Sequence, residues 1–541
     1  MEPIETQSLA HYGIVAAFVD KLGLVDFLDR HLPKTHPHHV SSGQLAKAVV
    51  LNGLGFVERR LYLFPEFFEN LPTERLIAPG VQPEHLNDDA VGRLLDNLSE
   101  YNISALYERF VIECLAPFLH RTFNLHADTT NFSVHGEYVP NEGFKWEIAF
   151  GHAKDGRTDL KRFVLNMVAD GSGIPLFLEL LSGNASDKKS IVVGMEKATN
   201  TLAALGESPL FGIADAAFYS AENIARIHGS WISRVPATLN EAAALLETGE
   251  ALLPCSDPRY SFLEKTSSYG GVEQRWFLFR SDEMAGKQEK TLEKRLELKL
   301  TDARKSASKL SKGEFFCEAD ARSAADSFFS EHPLVQGSVL VEELRRKKGG
   351  RGRPASGAEM EIRYRAKIDP ALAPDAVEIL RSKCGRFILA TSAVGETAPG
   401  AEEILGLYKE QGAVEKGFRF LKDKSFHAAE IYLKREERIE GLMFLMTIAL
   451  AVYNLAEKEL REVLSASGES IPAPGGKPMK NPTLDRLFHL FARVTVLVGE
   501  ECGKRTHRVM NLNDTLKRVL ALFGKNFERY YMDGASSNAY G

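Results

Sequence analysis

A chain of 541 residues is too long for one compact core and predicts roughly two to four domains, and 44% hydrophobic with 26% charged residues is typical of a globular protein. The apolar run Gly441–Tyr453 is shorter than the roughly 20 residues that span a bilayer, and no N-terminal stretch has a signal-peptide pattern. Five scattered cysteines fit a reducing cytosol and indicate neither a disulfide framework nor a zinc site, so we expect a cytoplasmic protein without a membrane partner. The net charge of −6 excludes a uniformly basic surface, so nucleic-acid contact would depend on local basic clusters.

Residues 1–120 are predicted to form a helical N-terminal domain. Apolar residues recur every three or four positions through His11–Leu32, and Ser41 or Ser42 is a favourable N-cap for a helix over Gln44–Val57. Further amphipathic patterns over Ala90–Asn97 and Ile103–Leu119 complete the domain.

The pattern changes near residue 122 to short β-rich runs separated by Gly, Asn and Asp. Strands are predicted at Phe123–Thr130, Lys145–His152, Lys161–Ala169, Pro175–Leu181, Leu210–Ala214 and Ser230–Val235, with helices at Asp187–Ala203 and Ser220–Ile227. Antiparallel strands followed by alternating strands and helices predict a mixed α/β sheet over residues 121–238.

Residues 239–385 are predicted to interrupt this sheet as an insertion domain. They include strands at Trp276–Arg280 and Glu361–Ile368, a charged helix at Lys287–Leu310 and a basic, Gly-rich loop at Arg345–Pro354. The core then resumes over residues 386–465, with a strand at Arg386–Thr391 and helices from about Gly400 to Lys424 and from Glu436 to Leu464. A Pro/Gly linker at Gly468–Pro482 leads into a helical C-terminal region, 466–541, whose tail after Met532 is predicted to be disordered.

Three carboxylates stand at positions where a fold can gather ligands. Asp128 and Asp215 each follow an apolar strand, and Glu415 lies in the middle of the helix predicted near Gly400–Lys424. On one continuous helix, Tyr408, Gln411, Glu415 and Lys422 would lie within about 60° of one another. Such a set suits phosphoryl transfer with two Mg²⁺ ions, which prefer a few carboxylates plus water. The alternatives are helix-capping or turn aspartates and a solvated helix face.

The three segments resemble the motifs of DDE transposases of the insertion-sequence-4 superfamily. The third motif of that family is Tyr-x2-Arg-x3-Glu-x6-Lys, which Tyr408, Glu415 and Lys422 match in spacing, whereas Gln411 stands where the family has Arg. Gln cannot offer a phosphate the forked positive charge of Arg. Ser182–Asp187 (Ser-Gly-Asn-Ala-Ser-Asp) and the N-terminal sequence from residue 11 to 68 resemble the insertion-sequence-1634 branch.

This resemblance implies an RNase H-like catalytic core interrupted by a β-rich insertion domain, which agrees with the gap of about 200 residues between Asp215 and Glu415. It implies that Asp128, Asp215 and Glu415 are the catalytic, metal-binding residues, with two Mg²⁺ ions for which Mn²⁺ can substitute. The expected partners are double-stranded DNA, as terminal inverted repeats and target, and a second copy of the chain, in a bacterial-type, nucleoid-associated setting. The alternatives are a metal-dependent nuclease without strand transfer and a catalytically inactive DNA-binding protein derived from a transposase.

Several other residues are candidates for DNA contact. The helix-face residues Tyr408, Gln411 and Lys422 would lie close to the reacting phosphate, and the N-terminal domain, with Arg59 and Arg60, is a candidate for binding the element's ends or, alternatively, a dimerisation module. The basic segment carries six positive charges in ten residues, namely Arg345, Arg346, Lys347, Lys348, Arg351 and Arg353. Its Gly-Arg-Gly-Arg-Pro sequence resembles an AT-hook that enters a narrow minor groove, the alternative being a solvated linker that touches only phosphates. Trp276 is the candidate for stacking on an extruded base, and Trp146 and Trp231 are predicted to be core residues.

Overall fold

The computed structural model describes residues 5–32, 39–55, 64–119, 124–138, 144–153, 156–347, 360–422, 433, 435–501 and 504–533. Within this part, the chain forms two compact units. The first unit comprises residues 1–233, 269–272 and 403–541, and the second comprises residues 234–268 and 273–402. Arg59, Arg60, Lys348, Arg351 and Arg353 lie outside the described residues.

The helices, in chain order, are α1 (Tyr12–Lys21), α2 (Leu24–His31), α3 (Ser42–Gly53), α4 (Phe64–Phe68), α5 (Thr73–Leu76), α6 (Asp88–Ser99), α7 (Ile103–Phe110), α8 (Asp187–Ala204), α9 (Ala221–Arg226), α10 (Asn240–Leu246), α11 (Asp282–Leu310), α12 (Glu318–Glu331), α13 (Pro374–Ser382), α14 (Ala401–Lys409), α15 (Gly412–Leu421), α16 (Glu436–Ser467), α17 (Leu484–Phe491), α18 (Asp514–Phe523) and α19 (Lys525–Glu528). Short helical turns follow or separate them at Pro83–His85, Val111–Leu115, Ala116–Phe118, Tyr269–Gly271 and Arg529–Tyr531.

The strands are β1 (Glu5–Ser8), β2 (Leu125–Ser133), β3 (Arg162–Ala169), β4 (Pro175–Ser182), β5 (Gly212–Ala214), β6 (Trp231–Arg234), β7 (Leu253–Pro254), β8 (Tyr260–Ser267), β9 (Gln274–Ser281), β10 (Val335–Lys347), β11 (Met360–Leu372), β12 (Arg386–Thr391), β13 (Ile471–Pro472), β14 (Pro478–Met479), β15 (Thr495–Glu501) and β16 (Lys504–Met510). The predicted mixed α/β class is therefore confirmed, with a large mixed sheet and many helices.

The N-terminal helices form where local sequence signals favour them. The side chain of Ser41 accepts a hydrogen bond from the backbone N–H of Gln44, whose side chain caps Ser41 in return, so α3 begins with a complete capping box. The apolar pattern predicted to be helical through His11–Leu32 forms two helices, α1 and α2, which are separated at Gly23, whose φ of 66° is a left-handed conformation that glycine adopts easily.

The apolar run Gly441–Tyr453 forms the centre of α16, as predicted for a core helix. Helices α1, α3, α6, α7, α15, α17 and α18 and strand β4 all contact α16. Among the described residues, α16 is the one helix that is long enough and apolar enough to cross a membrane. However, 89% of its most apolar 18-residue segment is buried inside the protein, as in the core helices of many globular proteins. Its apolar sequence is explained by this central position.

The main sheet of the first unit has the strand order β4–β3–β2–β5–β6. Strands β4, β3 and β2 are antiparallel neighbours, whereas β2, β5 and β6 run parallel. Helix α8 packs against β2, β3 and β4, and α15 packs against β2. The predicted strand Lys145–His152 is wrong, since only Ala149 forms an isolated bridge there, with Arg162.

The two ends of the chain meet in a small sheet that the sequence did not indicate. Strand β1 pairs with β15, and β15 pairs with β16, all antiparallel. The predicted N-terminal and C-terminal regions are therefore not purely helical, and the predicted linker Gly468–Pro482 contains the hairpin β13–β14. Alternating residues in a strand as short as β1 give too weak a pattern to predict a pairing so distant in sequence.

The second unit contains strands in the order β12–β9–β8–β7 and a separate hairpin, β10–β11. Helices α11 and α12 pack against this hairpin, so the second unit is mixed α/β rather than mainly β. Helix α11 begins at Asp282, five residues before the predicted start, because the side chain of Ser281 caps it by accepting a hydrogen bond from the backbone N–H of Met284.

Candidate active site

Asp128 and Asp215 lie side by side on neighbouring strands. In the parallel pairing of β2 with β5, Ala127 is the partner of Ala214, and each aspartate is the next residue in the chain. Neighbouring strands are about 4.8 Å apart, so this register places the two carboxylates within reach of one ion or one phosphate. Both aspartates are partly exposed, whereas the alanines before them are fully buried.

The local chain path differs for the two aspartates. Asp215 directly follows β5, as predicted. Asp128 does not end its strand: β2 continues to Ser133, paired with β3, and only the pairing with β5 stops at Ala127. The prediction for Asp128 is therefore corrected, because a neighbouring strand ends at this point rather than β2 itself.

A backbone N–H group fixes one oxygen of each carboxylate. Asp128 Oδ1 accepts a hydrogen bond from the N–H of Thr129 at 2.7 Å, and Asp215 Oδ1 accepts one from Ala217 at 2.9 Å. The Ser233 hydroxyl also donates to the Asp215 backbone carbonyl at 2.9 Å, which holds the turn after β5. These bonds orient both carboxylates before any ligand arrives, which is what a preorganised site needs.

The face of β2 that carries Asp128 is the face covered by α15. Successive residues of a strand alternate in direction, so His126, Asp128 and Phe132 point the same way. The Nε2 atom of His126 lies 3.6 Å from Glu410, directly before α15, and the Lys422 ammonium, directly after α15, lies 5.5 Å from the centroid of the Phe132 ring. The opposite face of the sheet meets α8, where the Asn166 side chain donates to the Ser190 carbonyl.

Glu415 does not lie in the middle of a long helix, and this prediction is wrong. The chain turns at residues 410 and 411, which separate α14 from α15, so Glu415 lies in the first turn of α15. The N–H of Ala413 donates to the Glu410 carbonyl and that of Val414 to the Gln411 carbonyl, three residues back instead of four. Tyr408 and Glu415 therefore lie on different helices, and Tyr408, Gln411, Glu415 and Lys422 do not share one face of a continuous helix.

The four residues of that predicted face have different environments. Tyr408 is half-buried on α14, Gln411 is 5% exposed, and Glu415 is exposed. The Gln411 Oε1 atom is buried without a hydrogen-bond partner in the described part of the chain. Lys422, at the C-terminal end of α15, is also exposed. Gln411 therefore occupies the helix junction rather than a DNA-facing surface.

The described residues do not contain a complete metal-ligand set. No group of three or more His, Cys, Asp or Glu side chains among them is gathered tightly enough to hold a metal ion. Asp128 and Asp215 are suited in chemistry and position to a divalent cation, since both are oriented carboxylates on adjacent strands. Glu415 is on the helix that packs over β2, and Gly417, two residues later, lies against Met167, the cross-strand partner of Asp128.

The tryptophan predicted to stack on DNA is a core residue. Trp276 is 1% exposed in β9, and its indole N–H donates to Gln274 Oε1, so no base can reach it. Trp146 and Trp231 are buried, as predicted, although Trp146 is not in a strand. Phe316, which no sequence pattern indicated, is 74% exposed in the second unit, with the Arg363 guanidinium 3.5 Å from its ring centroid.

The predicted basic loop begins as a strand. Arg345, Arg346 and Lys347 are the last residues of β10. The Arg345 guanidinium pairs with Glu343 at 2.8 Å and Arg346 pairs with Glu314, so acidic neighbours offset part of their charge. The prediction of an extended loop is wrong for these three residues, because cross-strand pairing with β11 through Met360 orders them.

Comparison with known families identifies the class of protein to which this fold and site belong. The family described as "Transposase DDE domain" matches residues 125–452, and a "Domain of unknown function (DUF4277)" matches residues 4–112. The chain therefore belongs to the Transposase DDE domain family. The protein is a DNA transposase, an enzyme of DNA transposition and recombination.

The comparison with individual proteins gives one solved structure with low sequence identity. No curated protein matches it. Among solved structures, the chain is similar to a piggyBac transposase in a cryo-EM structure described as a synaptic complex with hairpin DNA. The two share 8% sequence identity at a TM-score of 0.37, over 91% of this chain and 83% of that one.

Proposed function

We propose that this transposase acts on an insertion sequence, cleaving DNA at the element's ends and joining the freed 3′ hydroxyl groups to target DNA. The observation that carries the proposal is the adjacent register of Asp128 and Asp215 on β2 and β5, under the helix that carries Glu415. The order β4–β3–β2–β5–β6, with three antiparallel strands followed by parallel ones, supports an RNase H-like core. The triad Asp128, Asp215 and Glu415 would carry the chemistry.

Divalent metal ions are cofactors of DDE transposases, and two Mg²⁺ ions, or Mn²⁺ in their place, would activate the attacking oxygen and stabilise the leaving oxygen. Asp128 and Asp215 would hold such ions through their carboxylate oxygens. Glu415 would supply the third carboxylate from α15, and the ammonium of Lys422 would contact a nonbridging phosphate oxygen. Gln411, being buried, would maintain the helix junction and not bind DNA.

The spacing of Tyr408, Glu415 and Lys422 supports membership of the insertion-sequence-4 superfamily, and residues 182–187 support the insertion-sequence-1634 branch. The proposed ligand is double-stranded DNA, both the terminal inverted repeats and the target. Two ends must be held together for joining, which favours a homodimer on DNA in the bacterial cytoplasm. Phe316, with Arg363 stacked on it, would offer the exposed aromatic surface on which an unpaired base could stack.

The decisive experiment is an assay with DNA that carries the element's end sequence, taken from the repeats flanking the gene. With Mg²⁺ or Mn²⁺, we expect cleavage at the end and covalent joining to a target plasmid, and both activities should disappear with EDTA. Cleavage without joined products would indicate a metal-dependent nuclease. Binding without cleavage under any divalent metal would favour an inactive DNA-binding protein.

The basic segment gives a separate prediction about DNA affinity. Replacing Arg351 and Arg353 together with Ala should weaken binding of end DNA and lower the slope of log affinity against log salt by about 2, because each lost phosphate contact releases about one fewer counterion. The measurement is a fluorescence-anisotropy titration at several salt concentrations. Replacing Lys305 and Lys309, which are both exposed on α11, with Ala gives a charge-matched control. An unchanged slope in the arginine variant would show that these two side chains do not contact DNA.

A further inference from the structure

The junction between α14 and α15 rests on the turn that joins β3 to β4. In that turn, Asp170 Oδ1 accepts hydrogen bonds from the N–H groups of Ser172 and Ile174, at 2.9 and 2.8 Å. A side chain at Gly171 would place its Cβ 2.9 Å from Glu410 Oε2, and one at Gly173, where φ is +82°, would lie 3.3 Å from Ala413. Gly173 is therefore required by its left-handed conformation and by the closeness of Ala413, whereas a side chain at Gly171 would displace the end of the Glu410 side chain.

His126 lies beneath the same junction. It is two residues before Asp128 on β2 and is fully buried, and its ring nitrogens have no hydrogen-bond partner in the part of the chain that the structure describes. The nearest carboxylate oxygen, Glu410 Oε2, is 3.6 Å from His126 Nε2. That separation is longer than a hydrogen bond by about half an ångström, and an unpaired buried ring N–H is unfavourable.

We propose that His126 and Glu410 are positioning residues that form a latch between β2 and the start of α15, and so set the distance of Glu415 from Asp128. The inference rests on the proposed catalytic role of Glu415. Closing the latch would pair the buried ring N–H with the Glu410 carboxylate and draw the first turn of α15 towards β2. Such a movement would shorten the distance between Glu415 and the two aspartates. No three carboxylates among the described residues form a group that could hold a metal ion.

The latch can be tested with variants that keep or remove the hydrogen bond. H126Q retains an N–H donor of similar reach, whereas H126L removes the donor. E410A removes the acceptor, and because the Glu410 side chain is 44% exposed, this change should not impair folding. We expect H126L and E410A to lower the rate of end cleavage by about 10- to 100-fold at saturating DNA without weakening DNA binding, because a small misplacement of a reacting group is costly. H126Q should remain within about threefold of wild type. The matched control is E403A, an exposed glutamate on α14.

The double variant H126L/E410A should be no slower than the worse single variant, since both changes break one interaction. A second measurement needs no activity: hydrogen–deuterium exchange of residues 412–421 should be faster in H126L and E410A, relative to α16, and unchanged in H126Q and E403A. Wild-type rates and exchange in both H126L and E410A would overturn the latch. An equal loss in H126Q and H126L would also overturn it, since packing and not hydrogen bonding would then matter. If the wild-type enzyme does not cleave DNA, the proposed function fails while the exchange experiment still decides the latch.

Discussion

D215N is expected to reduce the rate of DNA end cleavage by at least ~10³-fold, with D128N causing a loss of similar size. Each substitution removes one negative charge and one metal-binding oxygen while preserving side-chain shape. Because Asp128 and Asp215 occupy adjacent positions on β2 and β5, both would hold the same ions, and neither can replace the other. The measurement is single-turnover cleavage of end DNA in Mg²⁺ and in Mn²⁺.

The same variants should keep the fold and DNA affinity of the wild type. Asp215 Oδ1 accepts its hydrogen bond from the Ala217 N–H, and the amide oxygen of Asn can accept the same bond. D159N is the matched control, since Asp159 is exposed and pairs with nearby Arg157. If D215N or D128N cleaved DNA at a rate close to that of D159N, the two aspartates would not be the catalytic pair.

The position of Asp215 directly after a strand was predictable because its signal is local. The short apolar run before Asp215 forms the buried strand β5, and the residue that follows this strand lies at the edge of the sheet. The capping residue Ser41 and the apolar centre of α16 were predictable for the same reason. What the sequence could not provide was the partner of each strand: the register of Ala127 with Ala214 depends on residues about 90 positions apart.

The helix break before Glu415 depends on tertiary contacts and not on local propensity. Residues 400–424 contain no proline, and a single glycine at a position such as Gly412 is tolerated within many helices. The break becomes favourable because Glu410 and Ala413 fit over the glycine-containing β3–β4 turn. Trp276 shows the same limit, since an aromatic residue in a strand has the same sequence pattern whether its face is covered or open. In both cases the residues that decide the outcome are distant in sequence.

A cluster of charged and polar side chains around the buried Lys47 joins the N-terminal helices to residues 529–532. The Lys47 ammonium is 1% exposed and lies 2.5 Å from Asp20 Oδ1 and 3.0 Å from the Tyr530 hydroxyl. Asp20 Oδ2 also accepts hydrogen bonds from Tyr530 and, at 2.5 Å, from Arg529. The Arg75 guanidinium donates to the carbonyls of Tyr530 and Met532, both at 3.0 Å. The matched domain of unknown function is therefore completed by residues from the opposite end of the chain.

D20A is expected to lower the free energy of unfolding by about 3–5 kcal/mol, because it leaves the Lys47 and Arg529 cations close together without their shared anion. Urea unfolding followed by circular dichroism measures this loss, and D26A, at an exposed position on α2, should change it little. Adding K47M to D20A should recover part of the stability, since the uncompensated charge is then removed with little change in volume.

The pH dependence of D20A gives an independent check on the cause. Burial lowers the pKa of Lys47, and Asp20 opposes this effect, so removing Asp20 lowers that pKa further. Between the pKa of Lys47 in the folded variant and its higher pKa in the unfolded chain, the unfolded state binds more protons than the folded state. The free energy of unfolding of D20A must therefore increase with pH in that range. The difference in the free energy of unfolding between wild type and D20A should therefore become smaller at alkaline pH. If this difference were constant with pH, or if K47M did not reduce it, the loss would come from packing and not from the buried charge.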